Sequence, residues 1–341
     1  MTPPPPPPAA SSASLTERVT PIDAGAEIVA AAFLGRVPAF ALADGNVLLA
    51  EIGEERRIKA HDDGAILVAA CDGARLYTGG DDGVIAATDA SGKTENLGKE
   101  NGWIDALTCR ADGALAWSSG KTVRARDAKG EIKTWVAPSS ARGLAFFPKG
   151  YRVVVPHYNG ASLWFPNTAA EPEALAWKGS HLDASVSPDA RFVVTSMQEN
   201  SLHGWRLADR KDMRMSGYPA KTRSFLWSHD GGWLATSGAD GCIVWPFSGK
   251  DGPMGQPPRE CGVRPNVLVT MVAFHPKALI VAIGYDDGWV LLVRLSDGAE
   301  ILVRRMEAER DAISALAFDS TGARLVFGTK SGKAGVLDFP G

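Results

Sequence analysis

Cysteine is scarce in this chain. There are four in 341 residues (Cys71, Cys109, Cys242 and Cys261), and no two stand close enough for a CxxC pair. That argues against a disulfide framework and a thiolate zinc motif, and points to free thiols in a reducing, cytoplasmic setting. Charge of one sign is lacking too: 36 Lys and Arg stand against 39 Asp and Glu, a formal net charge of −3. No global field therefore draws the chain toward nucleic acid or an acidic membrane. No stretch approaches the roughly 18 apolar residues of a membrane-spanning helix. The start has neither the charged opening nor the apolar run of a secretory signal. It reads Met1-Thr2, the tract Pro3 to Pro8, then Ala and Ser to Ser14. Residues 1–15 are expected to form an extended, disordered Pro/Ala/Ser-rich leader, with recognition by a proline-reading domain as the alternative.

Motifs for chemistry are missing as well. A phosphate loop needs a glycine at a fixed distance before Gly-Lys-Thr so that the backbone can wrap the anion. Gly92-Lys93-Thr94 has Ala87 there, and Gly120-Lys121-Thr122 has Leu115. The six histidines are scattered, which argues against zinc, and no Gly-x-Ser-x-Gly elbow is present. No catalytic residue, metal ligand or cofactor is expected.

What the chain has in abundance is turns. There are 37 glycines and 22 prolines, and 45% of the residues are hydrophobic, enough for a large core. The pairs Asp44-Gly45, Asp82-Gly83, Asn159-Gly160, Asp240-Gly241, Asp287-Gly288 and Ser331-Gly332 recur, with Gly120-Lys121 and Glu199-Asn200 as weaker copies. Their second residues are 38, 38, 39, 40, 41, 47 and 44 apart. Asp-Gly and Asn-Gly supply the positive φ angles of a tight hairpin, and a strand-rich period of about 40 residues indicates a propeller. Each unit runs apolar strand, turn, strand, Asp-Gly-type turn, strand and polar fourth strand. The second unit shows it plainly, with Ile66 to Ala70, Asp72-Gly73, Leu76 to Thr78, Asp82-Gly83 and Val84 to Thr88.

On these residues the chain resembles the WD-repeat family over roughly residues 25 to 338. The family pattern places a His before the first strand, Ser or Thr in the second, Asp in the next turn and Trp in the third. Unit 2 matches with His61, Thr78 and Asp82 and has Thr88 in the Trp position. Unit 5 offers Thr195, Glu199 and Trp205, and units 4 and 6 carry Trp164 and Trp245 one residue early. The resemblance implies that His61, Thr78 and Asp82 form a structural hydrogen-bonded set. It also implies a non-catalytic scaffold or adaptor for protein partners.

The expected fold is all-β, a propeller of four-stranded blades over residues 16–341. Eight blades are expected from the eight turns, with the family's commoner seven as the alternative. Unit 8 ends too soon for its own fourth strand, so Val19 to Ile22 should supply it and close the ring.

Two candidate sites follow. Loops before first strands and between second and third strands share one face, where Trp103, His157, Tyr158, His181 and Gln198 fall. Exposed aromatics at loop tips are costly unless used, so these are candidate partner contacts, although Trp103 could simply cap a blade. The first strands bring Asp105, Arg142, Asp183 and Arg223 to the channel. They could pair off with one another, or Arg142 and Arg223 could hold an anion in a channel-site sensor or enzyme, the alternative to a scaffold. The basic stretch 206–223 reads as a solvated outer strand without the aromatics that nucleic acid needs. The Gly/Pro-rich stretch 247–266 reads as a binding loop or a wide crossing.

Overall fold

A computed structural model describes residues 13–51 and 53–339. The Pro3 to Pro8 tract lies outside the described residues. Apart from one short turn of 3-10 helix at Thr16–Arg18, every regular element is a strand. Short runs of apolar and small residues bounded by turn residues dictate this, since the middle strands bury both faces between neighbouring sheets.

Eight repeat units follow one another in the chain. Their innermost strands are Ile28–Leu34, Ile66–Cys71, Ala106–Cys109, Ala145–Phe146, the second half of Glu173–Val186, Phe225–Trp227, Val269–Phe274 and Ile313–Phe318. Hydrogen bonding gathers these units into seven sheets, because units 4 and 5 share one six-stranded sheet. The 14-residue strand Glu173–Val186 causes the fusion. Its first half is the outer strand of unit 4 and pairs with Ala161 to Leu163, while its second half is the inner strand of unit 5 and pairs with Val193 to Ser196. The separate-blade expectation therefore holds for all but this pair. Counting sheets gives seven, the alternative; counting units gives eight, because the fused sheet carries two complete ladders.

The core confirms that the units form a ring. Among the described residues there are eight apolar clusters, and each lies at the junction of consecutive units. The one that closes the circle joins Val326 and Ala315 of unit 8 to Phe33 and Phe40 of unit 1. Tight junctions use a small residue in the second strand against an Ile that opens the next unit. A Cβ on Gly79 would lie 2.5 Å from Ile104, on Gly284 2.5 Å from Ile313, and on Gly328 2.6 Å from Ile28. Glycine is needed at these positions for closeness, not for φ.

Val19–Asp23 pairs antiparallel with Lys333–Asp338 and is the outer strand of unit 8, as the missing fourth strand required. Its Ile22 is buried in the closing junction. The described residues include 13 to 15, the last of the expected leader. Ala13–Ser14 runs parallel to the outer strand of unit 7, opposite Ile301 and Leu302, and the Leu15 amide donates to the Leu302 carbonyl at 2.7 Å. The N-terminal segment thus ties units 7 and 8 together.

Candidate partner-binding face

The alternation of hairpins gives the ring two unlike faces. One holds the turns between second and third strands and the crossings between units; it is called the loop face here. The other holds the remaining hairpins.

On the loop face, the hydrogen-bonded ladders brace the turns. In unit 2, His61 is buried, with Nδ1 3.0 Å from Asp82 Oδ1 and Nε2 2.9 Å from Thr78 Oγ1. A carboxylate only accepts, so Nδ1 donates to Asp82 and Nε2 accepts from Thr78. Asp82 also accepts the Val84 amide at 2.9 Å, which fixes the Asp-Gly turn. Thr88, in the usual Trp position, bonds instead to Thr94 at 3.0 Å. Unit 6 builds the same bridge from other residues: Tyr218 Oη is 2.7 Å from Thr236 Oγ1, and Trp245 Nε1 donates to Tyr218 at 2.6 Å. Sequence reasoning missed Tyr218. The signal was present, a ring-bearing polar residue shortly before the first strand, as His61 is in unit 2.

Two predicted contact residues prove to be interior. His157 is 8% exposed; its Nδ1 donates to the Tyr158 carbonyl at 2.9 Å, and Nε2 lies 3.0 Å from Ser162 Oγ. His181 is 3% exposed; its Nε2 donates to the Trp177 carbonyl at 3.1 Å, and Nδ1 lies 2.7 Å from Thr195 Oγ1. Burial lowers both imidazole pKa values and keeps the rings neutral. Neither His157 nor His181 can therefore contribute to an exposed contact surface. His181 instead supplies the histidine that unit 5 lacked in sequence, reaching Thr195 from within the shared strand.

The other predicted contacts do lie at the surface of this face. Trp103 is 65% exposed and Tyr158 61%, and Gln198 is exposed. Backbone bonds hold their loops in one chain of neighbours. Asp105 accepts the Gly120 amide at 2.7 Å, Ala141 donates to the Gly120 carbonyl at 3.0 Å, and Ser139 Oγ accepts the Tyr158 amide at 2.8 Å. Trp103, Arg142 and Tyr158 thus stand on three successive, mutually braced loops. The Gln198 amide donates to the Ser180 carbonyl at 2.9 Å, carrying the brace to the next turn.

The channel residues do not behave as one site. Asp105 is occupied by the Gly120 turn, and Asp183 accepts only the Ala184 amide. Asp183 lines the channel enclosed by neighbouring strands, and this burial lifts its carboxyl to about 6. Among the described residues, no carboxylate lies within 4.0 Å of the Arg142 or Arg223 guanidinium. The four neither pair off nor converge on one pocket. Arg223 lines a hollow of about 410 Å³ with Asn200, Lys221, Leu268, Val269 and Asp286, away from the other three. A second hollow of about 340 Å³ is walled by Tyr158 and Trp177, with Lys178, Glu199 and Arg214 at its rim. Trp177 is backed by buried His203, stacked at 4.0 Å, whose ring nitrogens find no partner and whose pKa burial lowers to about 3.

The long stretch 247–266 is divided between the faces. Its residues 247–258 connect third to fourth strand on the opposite face, where Arg191 donates to the carbonyls of Phe247 and Gly249, both at 3.2 Å. That part is a latched crossing. Among the described residues, no cluster of three or more His, Cys, Asp or Glu could hold a metal ion, and no helix is long and apolar enough to cross a membrane.

Comparison with known proteins agrees with this geometry. A family profile described as "WD domain, G-beta repeat" matches residues 214–245, the stretch that contains the Tyr218, Thr236 and Trp245 bridge. Two solved structures are similar over nearly the whole chain. The computationally designed Ika8 protein has a TM-score of 0.76 at 19% identity, covering 93% of this chain and 98% of its own. The C-terminal WD40 domain of Sif2 has a TM-score of 0.76 at 13% identity, covering 96% and 99%. A search of curated proteins finds no match.

Proposed function

We propose that this chain, a WD-repeat β-propeller, is a non-catalytic platform that presents its loop face to a protein partner in a cytoplasmic setting. One observation carries the reading. Nine large apolar side chains are exposed among the described residues, and six of them (Leu67, Trp103, Val136, Tyr158, Val263 and Met306) stand on the loop face or at its channel mouth. Apolar surface gathered on one side of a molecule is the usual mark of an interaction site. A rigid ring that holds such loops in place loses little ordering entropy on binding. Trp103 and Tyr158 are the anchors, with Gln198 and Arg142 as polar contacts beside them.

The test is affinity capture from the native cell extract with wild-type protein and with the W103A/Y158A double variant. A partner retained by the first and absent from the second, at unchanged thermal stability, supports the platform. A partner captured equally by both contradicts it.

A further inference from the structure

The loop face is electrically divided. Over units 1, 2, 7 and 8 its loops carry Glu27, Asp44, Asp62, Asp63, Glu307 and Glu309 among other acids. Over units 3 to 6 the loops carry Lys121, Arg142, Lys221 and Arg223, and the strands beside them add Lys178 and Arg214. None of these six forms an ion pair or a side-chain hydrogen bond within the described chain, and all but the half-buried Lys221 are exposed. Of the acids there, Glu100 is occupied by Arg124 at 3.0 Å, Asp105 by the Gly120 amide and Glu199 by the Ser180 amide at 3.2 Å, while the exposed Asp240 has no side-chain partner among the described residues. Elsewhere on the face Arg264 pairs with Asp287 at 2.8 Å and Arg310 with Asp286 at 3.1 Å, while Arg305, in the crossing between units 7 and 8, has no such partner among the described residues. In a chain with net charge −3, six free cations on one arc are an imbalance that folding leaves uncorrected.

The smaller hollow sits within this arc, and the larger runs from units 5 and 6 at its edge onto the first residues of unit 7. The smaller sets Lys178 and Arg214 beside the rings of Tyr158 and Trp177. The larger sets Lys221 and Arg223 beside Leu268 and Val269, and its one acid, Asp286, is neutralised by Arg310 and bonded to the Leu268 amide at 3.0 Å. Each hollow therefore offers an apolar wall and two unused cations.

We propose that the partner of this face is an acidic protein segment in which carboxylates alternate with apolar or aromatic side chains. It lies over units 3 to 6 and the near edge of unit 7, drops one apolar side chain into each hollow and sets its carboxylates on the Lys178/Arg214 and Lys221/Arg223 pairs. This rests on the platform reading and gives it a partner chemistry. Opposite charges across an interface speed encounter and fix register, while the acidic loops of units 7, 8, 1 and 2 repel the segment from the wrong half. A nucleic acid would meet the same cations. Its continuous charge would also run into the acidic half of the ring, and beyond the rings of Tyr158 and Trp177 the larger hollow offers it only the aliphatic Leu268 and Val269.

Selection of random twelve-residue peptides displayed on phage against the intact chain tests this. The most enriched peptide is then synthesised with and without its Asp and Glu replaced by Asn and Gln, and affinity is read by fluorescence anisotropy alongside a dT20 oligonucleotide. Enriched peptides should be acidic with interspersed apolar residues. The amide copy should bind at least about tenfold more weakly, R142E/R223E should lose at least as much, and K277E on the opposite face should change nothing. Affinity should fall as salt rises. Neutral or basic peptides that depend on Trp103 and Tyr158 would overturn the acidic partner and leave the platform standing. Peptides indifferent to all of these substitutions, or no enrichment at all, would overturn both. Tighter binding of dT20 than of any peptide would overturn the proposal in favour of nucleic acid.

Discussion

The two faces of the ring spend their arginines differently. On the face opposite the loops, cationic side chains reach across unit junctions to backbone carbonyls. Arg56 donates to the carbonyls of Ser91 and Ala90, both at 2.9 Å, Arg259 to Leu295 at 2.9 Å and Arg324 to Arg36 at 2.6 Å. Arg110 donates to the Gly150 carbonyl, and His275 makes the equivalent bond to Gly322 at 3.1 Å. The arginine bonds are charge-assisted, and together with that of His275 they fasten the ring where the hairpins meet. On the loop face over units 3 to 6, Arg142 and Arg223 make no such bond, and apolar tips stand in solvent beside them. The loop face has latches of the same kind, Arg57 to the Ala24 carbonyl and Arg310 to the Asn266 carbonyl, but over units 3 to 6 it leaves Arg142 and Arg223 to spare for a partner.

If that contrast is right, the largest effect should come from opening the ring itself. Removing residues 1–23 strips the outer strand from unit 8, exposes the edge of Lys333–Asp338 and takes Ile22 out of the closing junction. The melting temperature should fall by on the order of 10 °C, with a tendency to associate through the bared edge, as scanning calorimetry and light scattering would show. Unchanged melting would mean the ring does not depend on this closure.

Arg324→Ala breaks one latch of the opposite face. Its guanidinium donates to the Arg36 carbonyl of unit 1 and lies 5.2 Å from the Phe33 ring. The expected loss is about 2 kcal/mol in denaturant unfolding. Asp82→Ala sharpens the comparison from the other side, because it cuts a loop-face group that is structural. The buried His61 Nδ1 would lose its acceptor, at a cost of about 1–2 kcal/mol. A variant that melts normally would remove the bracing role from this ladder.

Asp183→Asn should act in the opposite direction. Burial raises this carboxyl to about 6, above its ordinary value of about 3.9, so the folded chain disfavours the charged form. Its contribution is full below about pH 4 and is lost as pH rises through 6. The amide should therefore stabilise the protein by on the order of 2 kcal/mol at pH 7.5, and the gain should vanish near pH 4. A gain that is the same at both pH values would show that the carboxyl titrates normally.

Much of this architecture was legible in the chain because hairpin chemistry is local. The positive φ expected of Asp44-Gly45, Asp82-Gly83 and their copies is present at Gly45, Gly83, Gly288 and Gly332, though not at Gly241. The closing strand could be read from what unit 8 lacked. The exposure of Trp103 and Tyr158 followed from their places at loop tips. The burial of His157 and His181 was not legible, because a histidine beside a turn reads the same whether its ring points in or out. Only the partners, Ser162 and Thr195, decide it. The fusion of units 4 and 5 escaped for a similar reason. Lys178-Gly179 looks like a break, yet Gly179, at φ 119°, lets the strand bend and continue. The latches were invisible because their acceptors are backbone carbonyls, which every residue carries.

The division of labour between the faces is tested most directly by measuring melting temperature and partner affinity together for W103A/Y158A and for R324A. The double variant should melt within about 1 °C of wild type while binding at least thirtyfold more weakly, since truncating each aromatic anchor costs about 2 kcal/mol. R324A should melt lower and, below its transition, bind as wild type does. Unfolding of W103A/Y158A, or weakened binding by R324A at normal stability, would contradict the account.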